Sequence, residues 1–309
     1  MAMTMILDGR VVRAQIAATL KAKIAPLEIK PKLVIFQVGV REDSSGYIRQ
    51  KQNFGRSIGA VVEHVAFPED IPEEEFIARI RTCNADPAVH GIIVQLPIPE
   101  QFDKAGVIDA VSPEKDVDGL TSAQVLARKE GRDDAVIPAT ARGIIELLSF
   151  YRVPIQGKKV AVLGRSALVG TPTAEAFRKA GAQVEVCHSQ TLNTRDVTKT
   201  CDIIVVAIGK PKLINESYIN AGGGQVVVDV GINSVEGGPF DSALVKKLEE
   251  EIEPEPLDKA QDKKIVGDVD FEKVAELVSA ISPVPGGVGP MTVASLFENL
   301  VSAYKRQIS

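Results

Sequence analysis

The stretch "KKVAVLGRSALVG", residues 158–170, constrains the fold more than any other part of the chain. An apolar run of strand length ends at Gly164, a short loop follows, and Gly170 opens a segment that reads as a helix over about 171–180, closed by Gly181. A strand with no polar alternation is buried on both faces, which is the condition of a parallel sheet covered by helices. The rhythm then repeats in "AQVEVCH", "CDIIVVAIG" and "QVVVDVGIN", the last two each with a short helical segment before them. Strands alternating with helices predict an α/β fold built on a doubly wound parallel sheet.

The first half carries a second set. Residues 8–28 place Val12, Ile16, Leu20 and Ile24 on one helical face. "KLVIFQVG", "AVVEHVAF" and "HGIIVQLPIP" read as strands. Helices are expected over Ser44–Gly59, through "PEEEFIARIRTCNAD", around Ala105–Val111, through "PATARGIIELLSFY", and last over about Met291–Lys305. A chain of 309 residues with 45% hydrophobic and 25% charged side chains is long and apolar enough for two packed domains. The net charge of −5 argues against nucleic acid as an electrostatic partner. Three cysteines without CxxC spacing read as reduced thiols, and three histidines without ligand spacing argue against a metal site. No run reaches 18 apolar residues and no basic-then-apolar leader opens the chain. The expectation is a soluble, cytoplasmic protein without a membrane span, an organellar form with a removed presequence remaining open. The charged run between Val245 and Lys264 reads as a solvated surface segment.

The glycine loop departs from the dinucleotide fingerprint, because Ser166 stands where GxGxxG has its middle glycine. Its position between a buried strand and a helix still suits a pyrophosphate, since N–H groups at a helix mouth face the anion. The second strand of an NAD site usually ends in an acid. Here that end reads "CHSQT", and Glu185 lies further back inside the strand. With Arg165 in the loop and Ser189 and Thr191 as donors at the strand end, the reading leans to NADP over NAD.

Three features stand out in the first half. Tyr47, Lys51, Phe54 and Ile58 are spaced along one helical face, which sets a lysine in an otherwise apolar stripe. Such a lysine either snorkels to water or points into a pocket, where desolvation lowers its pKa. Gln95 is the only polar side chain between Ile92 and Pro99, at the carboxyl end of an apolar strand, where open α/β sheets bind ligands. Asp116 and Asp118 share the tight turn "KDVDG", and turn acids often bond only their own backbone. A fourth feature lies near the end of the second half, where the glycines and prolines of "SPVPGGVGPMTVA" suit close backbone approach to a ligand.

In this order, "SSGYIRQK", "GIIVQLPIP", "PEKDVDGL", "GRSALVG", "VVDVGIN", "VGDVDF" and "SPVPGGVGPMTVA" resemble the bifunctional methylenetetrahydrofolate dehydrogenase/cyclohydrolases over about residues 6–306. The resemblance implies two α/β domains facing a cleft. Residues 1–149 with 283–309 would form the folate-binding catalytic domain, and residues 150–282 the Rossmann domain, through which a homodimer would form. It implies NADP-dependent oxidation of 5,10-methylenetetrahydrofolate, then hydrolysis to 10-formyltetrahydrofolate. A single-activity enzyme and a non-catalytic folate- or dinucleotide-binding paralogue are the alternatives. Lys51 would be the hydrolytic lysine, Gln95 its tuning partner, Tyr47 the ring stacked on the aminobenzoyl group and Asp118 the pterin-binding acid. Val94 and Leu96 would line the folate site, together with Pro285, Gly286, Gly287, Val288, Gly289, Pro290, Met291, Thr292 and Val293. Gly164, Arg165, Ser166, Ser189, Gln190, Thr191 and Ile232 would hold the dinucleotide. The chain departs from the family's usual "PCTP" with "PATA" at Pro138–Ala141, and the run from Gly237 to Lys264 has no counterpart.

Overall fold

The computed structural model describes residues 3–39, 42–220, 222–236 and 263–308. The charged run lies outside them as far as residue 262. In chain order the first half contains β1 (Met5–Ile6), α1 (Gly9–Ile24), β2 (Lys32–Val38), α2 (Glu42–Ile58), β3 (Val61–Phe67) and α3 (Glu73–Ala85). It continues with β4 (Gly91–Val94), α4 (Lys104–Asp109), α5 (Ser122–Lys129) and α6 (Ala139–Phe150). The second half contains β5 (Lys159–Leu163), α7 (Gly170–Lys179), β6 (Gln183–Cys187), α8 (Thr194–Thr200), β7 (Ile203–Val206), β8 (Val226–Asp229) and β9 (Asn233–Glu236). The chain closes with β10 (Lys263–Val266), α9 (Phe271–Val274), β11 (Ala280–Ile281) and α10 (Val288–Ile308).

Two parallel sheets organise these elements. The smaller has the order β3-β2-β4 and the larger the order β1-β11-β8-β7-β5-β6, while β9 and β10 form an antiparallel pair. Side-chain alternation on β2 sends Leu33 and Ile35 into a core with α1, α2 and α10, and Val34, Phe36 and Val38 into a second core with α3. Both faces are covered, which is why the sequence reads apolar throughout. On β5, Val160 and Val162 face α6 and α7, while Ala161 and Leu163 face the opposite core.

The last helix ties the halves together. It starts at Val288, three residues before the expected Met291. Gly289 and Pro290 therefore sit in its first turn, where a proline's missing N–H leaves no bond unmade. Val288 and Met291 belong to the core of the large sheet, whereas Val293 through Ala303 belong to that of the small one. Phe297 meets Phe54 of α2 with ring centroids 5.3 Å apart. Truncating Phe297 to alanine would cost about 3–5 kcal/mol. Close crossings need glycine here: a Cβ on Gly9 would lie 1.8 Å from Gly287 O, and one on Gly143 would lie 2.9 Å from Met291 Cβ.

Candidate active site

Helix α2 carries its stripe from the core into the open. Phe54 and Ile58 are fully buried, Lys51 is half-buried, and Tyr47 is 40% exposed. Lys51 Nζ donates to Gln95 Oε1 at 2.8 Å. Gln95 follows the last residue of β4, and its backbone N–H donates to Phe36 O at 2.8 Å. The strand ladder thus fixes where its side chain starts. Its Nε2 donates to Leu96 O at 3.0 Å, which leaves Oε1 as the atom turned to the lysine.

Burial lowers the Lys51 pKa, and the nearby Asp118 carboxylate partly restores it. Asp118 is the mirror case: burial raises its pKa, Lys51 lowers it, and Asp116 raises it again. The two turn acids have different work. Asp116 Oδ1 accepts from the backbone of Asp118 at 3.2 Å and Gly119 at 2.7 Å, and its Oδ2 from Thr121 at 2.8 Å. The Asp118 carboxylate takes no hydrogen bond among the described residues. A half-buried carboxylate beside a lysine, with its lone pairs available, suits a ligand that offers N–H donors.

Of the other expected folate-site residues, Val94 is buried in the core beneath the sheet and Leu96 is half-buried at the strand end. The 285–293 segment divides. Val288, Met291 and Val293 are buried packing residues, as are the backbone glycines Gly286 and Gly287. Gly286 has φ +108° and its O accepts from Gly9 N at 2.9 Å. Pro285 is exposed, while Gly289, Pro290 and Thr292 keep part of their surface in the open. Thr292 Oγ1 lies 3.3 Å from Thr140 Oγ1 of the "PATA" segment.

The glycine crossing is built for close backbone approach. A Cβ on Gly164, which has φ +121°, would lie 2.2 Å from Ala207 O, and one on Gly170 would lie 2.3 Å from Gly164 O. Ser166 Oγ, in place of the middle glycine, accepts from Val169 N at 3.2 Å and Gly170 N at 3.3 Å. The hydroxyl thereby holds the loop to the mouth of α7. Arg165 and Ser166 are exposed there. Beyond β6, Thr191 Oγ1 accepts from His188 N at 3.0 Å, leaving Ser189 and Gln190 exposed at the tip. Ile232 is 50% exposed after β8. Arg165, Ser189 and Gln190 place a cation and two polar side chains beside loops a phosphate-bearing ligand can approach, so the residues present fit NADP. Among the described residues no cluster of His, Cys, Asp or Glu suits a metal, and no helix is long and apolar enough to cross a membrane.

Two groups escaped the sequence reading. Asp268 accepts from the backbone of Ile208, Gly209 and Lys210 at 2.7, 2.9 and 2.8 Å, and from Asn233 Nδ2 at 2.9 Å. Asp229 accepts from Gly231, Asp268 and Val269. Burial raises Asp229 to about 7 against the pull of those amides. A carboxylate directly at the end of the apolar run "VVVD" was the available signal. Arg128, on the unanticipated helix α5, is the second group. It donates to Gly119 O at 2.7 Å and Val136 O at 3.0 Å, and to Glu175 of α7 at 3.2 Å.

These features define a two-domain α/β enzyme of the dinucleotide-dependent kind, with a lysine–amide–carboxylate group on its other sheet. Residues 7–118 match the family described as tetrahydrofolate dehydrogenase/cyclohydrolase, catalytic domain, and residues 138–308 match its NAD(P)-binding domain. The chain belongs to the tetrahydrofolate dehydrogenase/cyclohydrolase family. It is 38% identical over 304 residues to the bifunctional protein FolD of Bacillus anthracis, covering 97% of this chain and 96% of that one. It is 43% identical over 279 residues to the cytoplasmic C-1-tetrahydrofolate synthase of Spodoptera frugiperda, covering 90% of this chain but 28% of that longer protein. The Trypanosoma brucei methylenetetrahydrofolate dehydrogenase-cyclohydrolase, solved with NADP and an inhibitor, superposes with a TM-score of 0.88 at 32% identity, covering 100% and 99% of the two chains.

Proposed function

We propose that this chain carries both activities of its family: NADP-dependent oxidation of 5,10-methylenetetrahydrofolate, then hydrolysis of the methenyl product to 10-formyltetrahydrofolate. The observation that carries the reading is the 2.8 Å bond from Lys51 to Gln95 with the Asp118 charge facing it. Tyr47, exposed one turn before Lys51, stacks on the aminobenzoyl ring. Asp118 receives the N–H edge of the pterin, and the open face of the 285–293 segment borders the same ligand. Gly164, Arg165 and Ser166, with Ser189, Gln190, Thr191 and Ile232, hold NADP, which supplies hydride acceptance when bound. Holding the one-carbon bridge in line supplies much of that step's advantage. In the second step water attacks the methenyl carbon and Lys51 moves the proton that ring opening requires. Its lowered pKa serves this role, since a neutral amine accepts protons and avoids repelling a cationic substrate.

Residues 1–149 with 283–309 are proposed as the folate half and 150–282 as the NADP half, with Met5–Ile6 lending an edge strand to the larger sheet. A homodimer through the larger sheet is supported by the open edge at β6 and by Leu192, 85% exposed beside it. Sedimentation at monomer mass would refute it. A cytoplasmic setting is proposed on the three free cysteines; fractionation of the source cell checks it. The assay for function follows methenyl and NADPH absorbance with NADP⁺ or NAD⁺ supplied. Lys51→Met should abolish hydrolysis of methenyltetrahydrofolate while leaving part of the dehydrogenase. No absorbance change with either cofactor would sink the oxidation, and unchanged hydrolysis in the variant would sink the lysine's role.

A further inference from the structure

Gln37 stands on the central strand of the small sheet and is 4% exposed. Alternation along β2 puts it on the face of Leu33 and Ile35, beneath α2, the helix of Lys51. The register of β2 with β4 pairs Phe36 with Val94, and the Gln95 N–H bond to Phe36 O carries the ladder one step further. Gln37 and Gln95 are therefore lateral neighbours on one face, at the strand spacing of about 4.8 Å. From the other side β3 brings His64, in register with Ile35, and its Nε2 lies 2.9 Å from Gln37 Oε1. With the Nε2–H tautomer donating, that end of the Gln37 amide is held. The other end, Nε2, is buried without a hydrogen-bond partner among the described residues. A buried donor left unmade costs about 1–3 kcal/mol, so such a side chain in a strand calls for a reason.

We propose that Gln37 is a positioning residue for the hydrolytic step. Held by His64, it keeps its unpaired amide donor on the face of Gln95 and reinforces the orientation, begun by the Gln95 Nε2 bond to Leu96 O, in which Gln95 Oε1 faces Lys51. The Gln95 oxygen has two lone pairs, so a second donor is compatible with the lysine bond. If the Gln95 amide turned over, its NH2 would meet the lysine amine and the hydrogen bond would be lost. The row His64–Gln37–Gln95–Lys51 thus runs from the edge strand to the reacting amine. Gln37 and His64 act only through Gln95 and touch no substrate. This inference rests on the roles given above to Lys51 and Gln95.

The experiment measures the two activities separately in Gln37→Met, His64→Leu and Lys51→Met, with Tm for each. Gln37→Met keeps length and loses the donor. It should lower the hydrolytic kcat about tenfold, with KM and the dehydrogenase kcat held within about twofold. His64→Leu, at a half-buried edge-strand position, should lower the same rate about threefold, which keeps the proposal testable if Gln37→Met fails to fold. A merely structural role would depress both activities together, and that result overturns the proposal. So does undiminished hydrolysis in the Gln37 and His64 variants when Lys51→Met is inactive. Undiminished hydrolysis in Lys51→Met overturns the lysine assignment itself, and this inference with it.

Discussion

Each half of the molecule has two neighbouring aspartates, in one turn in the small-sheet half and on two separate segments in the other, and the two pairs use their acids differently. In the small-sheet half, Asp116 collects three backbone amides and Asp118 is left with its carboxylate beside Lys51. In the large-sheet half, both acids are engaged: Asp229 and Asp268 together gather six backbone N–H groups and the Asn233 amide. The difference teaches how to read a buried acid. A carboxylate whose lone pairs are filled by amides holds loops in place, whatever its pKa, whereas one that burial and a lysine surround without amides is poised for a ligand. Asp229, raised to about 7, would pass for a catalytic acid on pKa alone; its hydrogen bonds say it is a brace.

Paired substitutions put the contrast at risk. Asp268→Ala strips four donors of their acceptor and should cost about 3 kcal/mol or more, visible as a fall in Tm of several degrees. Asp118→Ala should leave Tm level or higher, because it removes a carboxylate that burial already disfavours. Folate turnover in that variant should fall about 10- to 100-fold. Equal thermal loss in the two variants would break the distinction.

Arg128 ties the Asp116–Asp118 turn to helix α7 of the large-sheet half. Its guanidinium holds Gly119, next to Asp118, and Glu175 on the helix that follows the glycine crossing. Arg128→Met should cost about 2 kcal/mol, since it leaves two carbonyls and a partly buried carboxylate unmatched. KM should rise for folate and NADP⁺ together. A rise for one ligand alone would mean the halves are positioned independently.

Much of this is legible in the sequence. The buried strands and the glycine crossing follow from apolar runs and their punctuation, and the Tyr47–Lys51 face follows from helical spacing. What stayed hidden depends on contacts remote in sequence. Strands Met5–Ile6 and Ala280–Ile281 are too short to show a period, yet they pair side by side. "KDVDG" does not reveal which acid meets the amides, because that depends on how the turn folds back to Thr121. The glycine-rich "PGGVGPMTV" reads as a ligand loop throughout, but Met291 and Val293 are core residues, and the Gly287 carbonyl lies where a Cβ on Gly9 would stand. Gln37 is one polar residue in the apolar run "KLVIFQVG"; only the register sets it beside Gln95.

The smallest expected effect is the most specific to the contrast. Asp118 raises the Lys51 pKa through its charge, against the lowering by burial. Asp118→Asn keeps the shape and removes the charge, so the Lys51 pKa should fall further below its ordinary value. If neutral Lys51 is the proton acceptor, activity increases as pH rises through that pKa. The rising limb of the hydrolytic pH profile should then move to lower pH in Asp118→Asn. The same exchange at Asp229 acts on an acid bound to backbone amides, and should leave that limb where it is. Profiles of log kcat against pH for the two variants decide the matter. A limb that stays put in Asp118→Asn, or moves to higher pH, would mean that Asp118 does not set the charge on the lysine, and its role would reduce to binding.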